Sequence, residues 1–125
     1  MAGSSGARAI VRQADRVPAA AVAAGTATET QVLLGPADGM PHFAMRRFTM
    51  QAGGGMPRHT NAVEHEQYVL RGRARVVVGD EAFDVSEGAV LYIPAGAPHS
   101  YQVLEAPFEF LCLVPNLPDE MRLVE

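Results

Sequence analysis

The feature that most constrains this chain is its punctuation. From residue 31 onward, short apolar or alternating runs are cut repeatedly by glycine and proline. Gln31–Leu34 meets Gly35-Pro36, Phe43–Met50 meets Gly53–Gly55, Glu66–Leu70 meets Gly72, and Ala74–Val78 meets Gly79-Asp80. Further on, Ala82–Val85 meets Glu87-Gly88, Val90–Ile93 meets Pro94–Pro98, Ser100–Leu104 meets Pro107, and Phe108–Val114 meets Pro115. Runs this short at this spacing predict strands of an all-β sandwich or barrel. The segment VVVGDEAFDV reads as a hairpin turning at Gly79-Asp80. No helical period stands out after residue 28, and no internal duplication is visible.

A chain of 125 residues is one domain's worth. The expected division is an N-terminal arm over 1–28, a barrel over 29–116 and a tail over 117–125, the tail being a short helix. Residues 1–7 (MAGSSGA) are small and polar and are expected to be disordered. The Ala-rich stretch Pro18–Thr28 is too short to span a bilayer, and the N-terminus shows no signal-peptide core. A net charge of −4 and a pI near 5.5 argue against nucleic-acid or anionic-membrane partners. Arg71, Arg73 and Arg75 alternate as on a solvated or partner-facing edge. A single cysteine allows no internal disulfide and fits a reducing, cytoplasmic location.

Three of the four histidines form a pattern. His59 and Asn61 lie two apart, so in a strand they share one face, about 6.6–6.8 Å apart. His65 comes after a stretch just long enough for a tight turn. His99 stands directly behind Ile93-Pro94-Ala95-Gly96-Ala97-Pro98, a stiff loop that aims the next side chain. Imidazoles converging from three strands suit a first-row divalent ion. His42 fits no pattern and reads as a loop residue. Glu64 and Glu66 flank His65 and by strand parity point away from it.

Two segments carry a family resemblance. GGGMPRHTNAVEHEQYVLRG (Gly53–Gly72) resembles the first cupin motif, and GAVLYIPAGAPH (Gly88–His99) resembles the second. Phe43-x-Met45-Arg46-x-Phe48 and the closing Glu109–Pro115 extend the likeness to a subgroup of small bacterial cupins with a four-histidine manganese site. The resemblance covers roughly residues 30–116. It implies a single-domain cupin, that is, a double-stranded β-helix or jelly-roll barrel. It also implies one divalent transition ion, manganese first, with iron, copper, nickel or zinc as alternatives. The metal residues are then His59, Asn61, His65 and His99. Two departures stand out. His65 takes the usual glutamate position, as in that subgroup, whereas Asn61 replaces the second histidine. Two roles are open to Asn61: a weak neutral ligand, or the holder of a water.

Strand alternation extends the cavity. His65 shares its face with Gln67, and His99 shares its face with Tyr101. Phe110 and Cys112 face inward because Glu109 should not. Of the adjacent pair Arg46 and Arg47, the family pattern turns Arg46 inward and leaves Arg47 solvated. Phe48 and Met56 complete the cavity set, and Cys112 is a small buried residue open to oxidation. The resemblance implies oxygenation or oxidative cleavage of a small, partly apolar molecule, with Arg46 orienting an acidic group. The alternatives are a non-catalytic binding or sensing barrel, or a Lewis-acid isomerase or lyase. The last would need a base, for which Tyr101 is the nearest titratable candidate. Apolar outer faces at Tyr68-x-Leu70 and Val76-x-Val78 predict a homodimer.

Overall fold

The computed structural model describes residues 7–125. Eight strands form one antiparallel sheet rolled into a barrel. They are β1 (Ala20–Ala21), β2 (Thr26–Leu34), β3 (Phe43–Thr60), β4 (His65–Val78), β5 (Glu81–Ser86), β6 (Val90–Ile93), β7 (His99–Pro115) and β8 (Arg122–Leu123). The main path runs β1-β2-β3-β7-β4-β5, with β6 paired to β4 and β8 paired to β3. Two short 3-10 turns, Ala14–Arg16 and Pro36–Asp38, are the helical elements among the described residues.

The strands are longer than the punctuation predicts, because glycine bends a strand without ending it when the partner strand bends with it. β3 runs through Gly53–Gly55, with a register shift between Met50 and Gly55 where it leaves β2. A Cβ at Gly55 would collide with the Tyr101 carbonyl oxygen, so only glycine lets β3 and β7 approach this closely. Glu66–Leu70 and Ala74–Val78 likewise fuse into β4. Around Gly72 the pairing with β7 slips by a β-bulge. The bulge also inverts parity: His65, Gln67 and Val69 face inward before it, and Ala74 and Val76 after it. Val76 is therefore core, not outer face. Ser100–Leu104 and Phe108–Val114 are one strand, β7, passing through Pro107.

The termini differ from expectation. β2 starts at Thr26, so the boundary drawn at residue 28 falls inside a strand. β1 pairs with β2, and Gln31 Nε2 donates to the carbonyls of Ala14 and Val17, tying residues 14–17 to the sheet. The disorder expected for residues 1–7 falls almost wholly outside the described residues. The tail is not a helix: it ends in β8, whose Arg122 and Leu123 pair with Thr60 and His59. Arg47 is not solvated either, since it donates to Gln31 Oε1 at 2.8 Å and to Asp15 at 3.0 Å.

The core is asymmetric along the barrel. One end is packed with Val69, Ala74 and Phe108. The other end holds most of the buried polar side chains: His59, Asn61, His65, Gln67 and His99. Polar groups are expensive to bury without partners, so this end is where the sequence departs from packing for its own sake.

Candidate metal centre

Three strands bring the histidines together. His59 at the end of β3 and His99 at the start of β7 are direct cross-strand partners, with ring centroids 4.1 Å apart. His65 opens β4, and its ring lies 6.1 Å from that of His99. The loop after β6 aims His99 as its proline and glycine content predicts. It is tied down by Gly79 N donating to the Pro98 carbonyl and Gly96 N donating to the Asn61 carbonyl, both at 2.8 Å.

Each ring has one nitrogen engaged. His59 Nδ1 is 2.7 Å from the Pro57 carbonyl, and His99 Nδ1 is 2.9 Å from the Ala97 carbonyl. A carbonyl oxygen only accepts, so in both rings Nδ1 carries a proton, which in the neutral ring leaves the lone pair on Nε2. His65 Nδ1 is 3.5 Å from Cys112 Sγ, and its Nε2 is buried with no partner. Burial holds the His65 and His99 pKa values down to about 4. At His65 the positive charge of Arg46 adds to the effect. These two imidazoles are thus neutral at pH 7, the form that binds metal.

The rings and Asn61 line a cavity of about 230 Å³. All the other residues expected there line it too, Arg46, Phe48, Met56, Gln67, Tyr101 and Phe110, with one exception. Cys112 sits behind the wall, fully buried, receiving Arg46 and Gln67 and touching His65. Burial raises its pKa, so the thiol stays protonated. Phe48, Phe110 and Tyr101 stack in a row, with centroid spacings of 5.2 and 5.4 Å and planes within 10°. The Arg46 guanidinium lies 5.1 Å from the Phe48 ring centre, with no carboxylate in ion-pair reach among the described residues. The Tyr101 hydroxyl and the Gln67 amide bond to each other at 2.8 and 3.0 Å. Burial drives the Tyr101 pKa far above its usual value, so Tyr101 is a hydroxyl donor and not the base that the lyase alternative needs.

Sequence reasoning missed part of the wall. Thr30 of β2, Met50 of β3, Val22, and Asp119 and Met121 of the tail also line the cavity. Asp119 accepts from Asn61 Nδ2 at 3.1 Å and from Ala62 N at 2.8 Å. No local pattern in Asn116–Asp119 signals this contact, which depends on β8 pairing with a strand some 60 residues earlier. The parity of β2 alone could have pointed to Thr30.

Whether these residues suit a cation can be judged from their free atoms. His65 Nε2 and Asn61 Oδ1 are both buried without partners. Together with the free Nε2 atoms of His59 and His99 they form a neutral set of nitrogen and oxygen donors, which suits a divalent transition ion. The side chains are not closed into a finished polyhedron: among the described residues no three His, Cys, Asp or Glu groups stand ready to hold an ion. The donor chemistry therefore fits, and the rings would have to turn to meet an ion.

Known proteins share this architecture. A family profile described as Cupin domain matches residues 46–114, more than half of the chain. Among curated relatives, oxalate decarboxylase OxdC of Bacillus subtilis (strain 168) is 49% identical over 49 residues, 35% of this chain and 13% of that protein. Uncharacterized protein SCO3923 of Streptomyces coelicolor is 33% identical over 54 residues, 43% of this chain and 51% of that protein. These matches thus span about half or less of the relatives' own lengths. Among solved structures, the polyketide cyclase RemF from Streptomyces resistomycificus superposes with a TM-score of 0.84 at 26% identity, over 94% of this chain and 88% of that one. A cupin-2 domain from Rhodospirillum rubrum, Rru_A2000, gives 0.77 at 23% identity over 94% and 81%, a likeness of fold. No described helix is long and apolar enough to cross a membrane. With both histidine motifs inside the matched segment and the barrel superposing over nearly its full length, the chain belongs to the cupin family.

Proposed function

We propose that this chain is a metal-dependent oxidoreductase of the oxygenase or oxidative-cleavage type, acting on a small, partly aromatic molecule with an acidic group. The observation that carries the metal is the pair of buried, unpartnered polar atoms, His65 Nε2 and Asn61 Oδ1, in one cavity with the rings of His59 and His99. Leaving such groups unsatisfied costs about 1–3 kcal/mol each, which a bound cation would offset. Manganese is the first choice, as in the subgroup that the motifs resemble. When bound, the ion supplies a positive centre whose neutral ligands leave its charge free to act on an oxygen.

The remaining residues then have defined tasks. The stacked row of Phe48, Phe110 and Tyr101 offers a flat apolar wall to an aromatic ring. Arg46, a cation with no carboxylate of its own, pairs with the acidic group. The Tyr101 hydroxyl, held protonated, donates to a substrate oxygen when it leaves Gln67. Among the described residues lining the cavity, Tyr101 is held protonated and Gln67 does not titrate, so neither is the general base that isomerisation needs.

A second reading has its own support. The likeness to a polyketide cyclase over nearly the whole chain favours non-oxidative, Lewis-acid closure of a ring. Oxygen dependence separates the two. The Mn-, Fe- or Cu-loaded protein should consume an electron-rich phenol or alkene only with O₂ or peroxide present, and His59→Ala should abolish turnover. Equal turnover under anaerobic conditions would favour the second reading. Binding without turnover under any condition would leave a binding module.

A further inference from the structure

The C-terminal segment, which the cupin motifs do not include, returns to the mouth of the cavity. β8 pairs with His59 and Thr60, Val124 N donates to the Arg58 carbonyl at 3.0 Å, and Asp119 and Met121 reach the cavity wall. The Asp119 carboxylate spans the turn between β3 and β4, taking Ala62 N on one oxygen and Asn61 Nδ2 on the other.

This contact decides which way the Asn61 amide faces. Its oxygen and nitrogen are nearly alike in shape, but a carboxylate can only accept. The NH₂ group must therefore face Asp119. Oδ1 is then left on the buried side, in the cavity that the three histidines line, and there it has no partner. The flipped amide would set Oδ1 against a carboxylate oxygen and turn its NH₂ into the cavity. That orientation presents a partial positive charge where a cation would sit.

We infer that Asp119 is a positioning residue that locks the Asn61 amide with Oδ1 toward His59, His65 and His99, making the centre a four-donor N₃O site. The inference rests on the metal-binding reading above. It assigns a function to the tail: the motif segments supply the imidazoles, and the tail fixes the oxygen donor. Without Asp119 the amide is free to turn, and Asn61 loses its value as a ligand although it is still present.

The test is titration of the metal-free protein with Co²⁺, read by its d–d absorption, with affinity from chelator competition. Wild type, Asp119→Ala, Asn61→Ala, the double variant and His65→Ala are compared. Asp119 is exposed and Asn61 lies in the connector between β3 and β4, outside the strands, so the variants should keep the barrel. Asp119→Ala and Asn61→Ala should each weaken Co²⁺ by about tenfold or more, the size of effect seen when a ligand's orienting partner is lost. Both should change the absorption band in the same way. The double variant should be no weaker than either single one, because the two residues act through one amide. A wild-type affinity and spectrum in Asp119→Ala, or single losses that multiply in the double variant, would overturn the inference. Failure of the parent reading looks different: wild type would take up no Co²⁺, or His65→Ala would bind it as wild type does, and either result removes the basis of this inference as well.

Discussion

At the scale of single residues, burial sets the chemistry of this site. His65 and His99 are held neutral, with pKa values pushed down to about 4, chiefly because burial penalises the charged ring. In the unfolded chain a histidine titrates near 6.5, so the unfolded state takes up protons first as pH falls. From these two rings the metal-free protein should show no loss of stability between pH 7 and 8 and a progressive loss between about pH 6.5 and 4. Urea midpoints measured across that range check this, and a flat midpoint from pH 7 to 5 would contradict the neutral, buried assignment. The three histidines were legible in the motif spacing, while strand parity only set Arg46 and Arg47 on opposite faces and the family resemblance picked Arg46 as the inward one. Asn61 was visible as a departure, but not its orientation. Its partner, Asp119, lies 58 positions away in a segment with no pattern of its own.

At the scale of elements, glycine and proline proved to be marks of bending. Gly72 shows why. It has φ of +80°, and an added Cβ would collide with the Pro107 carbonyl oxygen and lie 2.7 Å from that of Glu105. The residue is what allows β4 and β7 to cross closely while the bulge turns Ala74 and Val76 into the core. Local composition cannot tell a strand that ends from one that bulges and continues, since both show a glycine after an apolar run. Hence the strand pairs around Gly72 and Pro107 were expected as separate pieces, and Val76 was expected on the outer face. Gly72→Ala should cost about 1–3 kcal/mol or more, from the backbone conformation and the carbonyl clash together. The loss would appear as a lower denaturation midpoint at unchanged slope; an unaltered midpoint would show that the bulge relaxes freely.

At the scale of the whole molecule, the barrel was readable because eight short strands with two motifs leave few other architectures. Assembly and the tail were less so, since both depend on surfaces that meet from distant parts of the chain. One outer face carries Tyr68, Val90 and Tyr92, exposed by 49%, 73% and 61% and brought together by the β4–β6 pairing. Exposed apolar residues in one patch are the usual mark of an interface. A homodimer sealed by this face is expected, and light scattering that gives only the monomer mass at micromolar concentration would contradict it. The central claim is the metal centre, and its most direct test is metal content. The protein should be loaded with Mn²⁺, desalted and analysed beside His65→Ala treated identically. Wild type should retain about one ion per chain and the variant close to none, because three imidazoles supply most of the binding. A wild type that retains no metal, or a variant that retains as much as wild type, would contradict this account of the site.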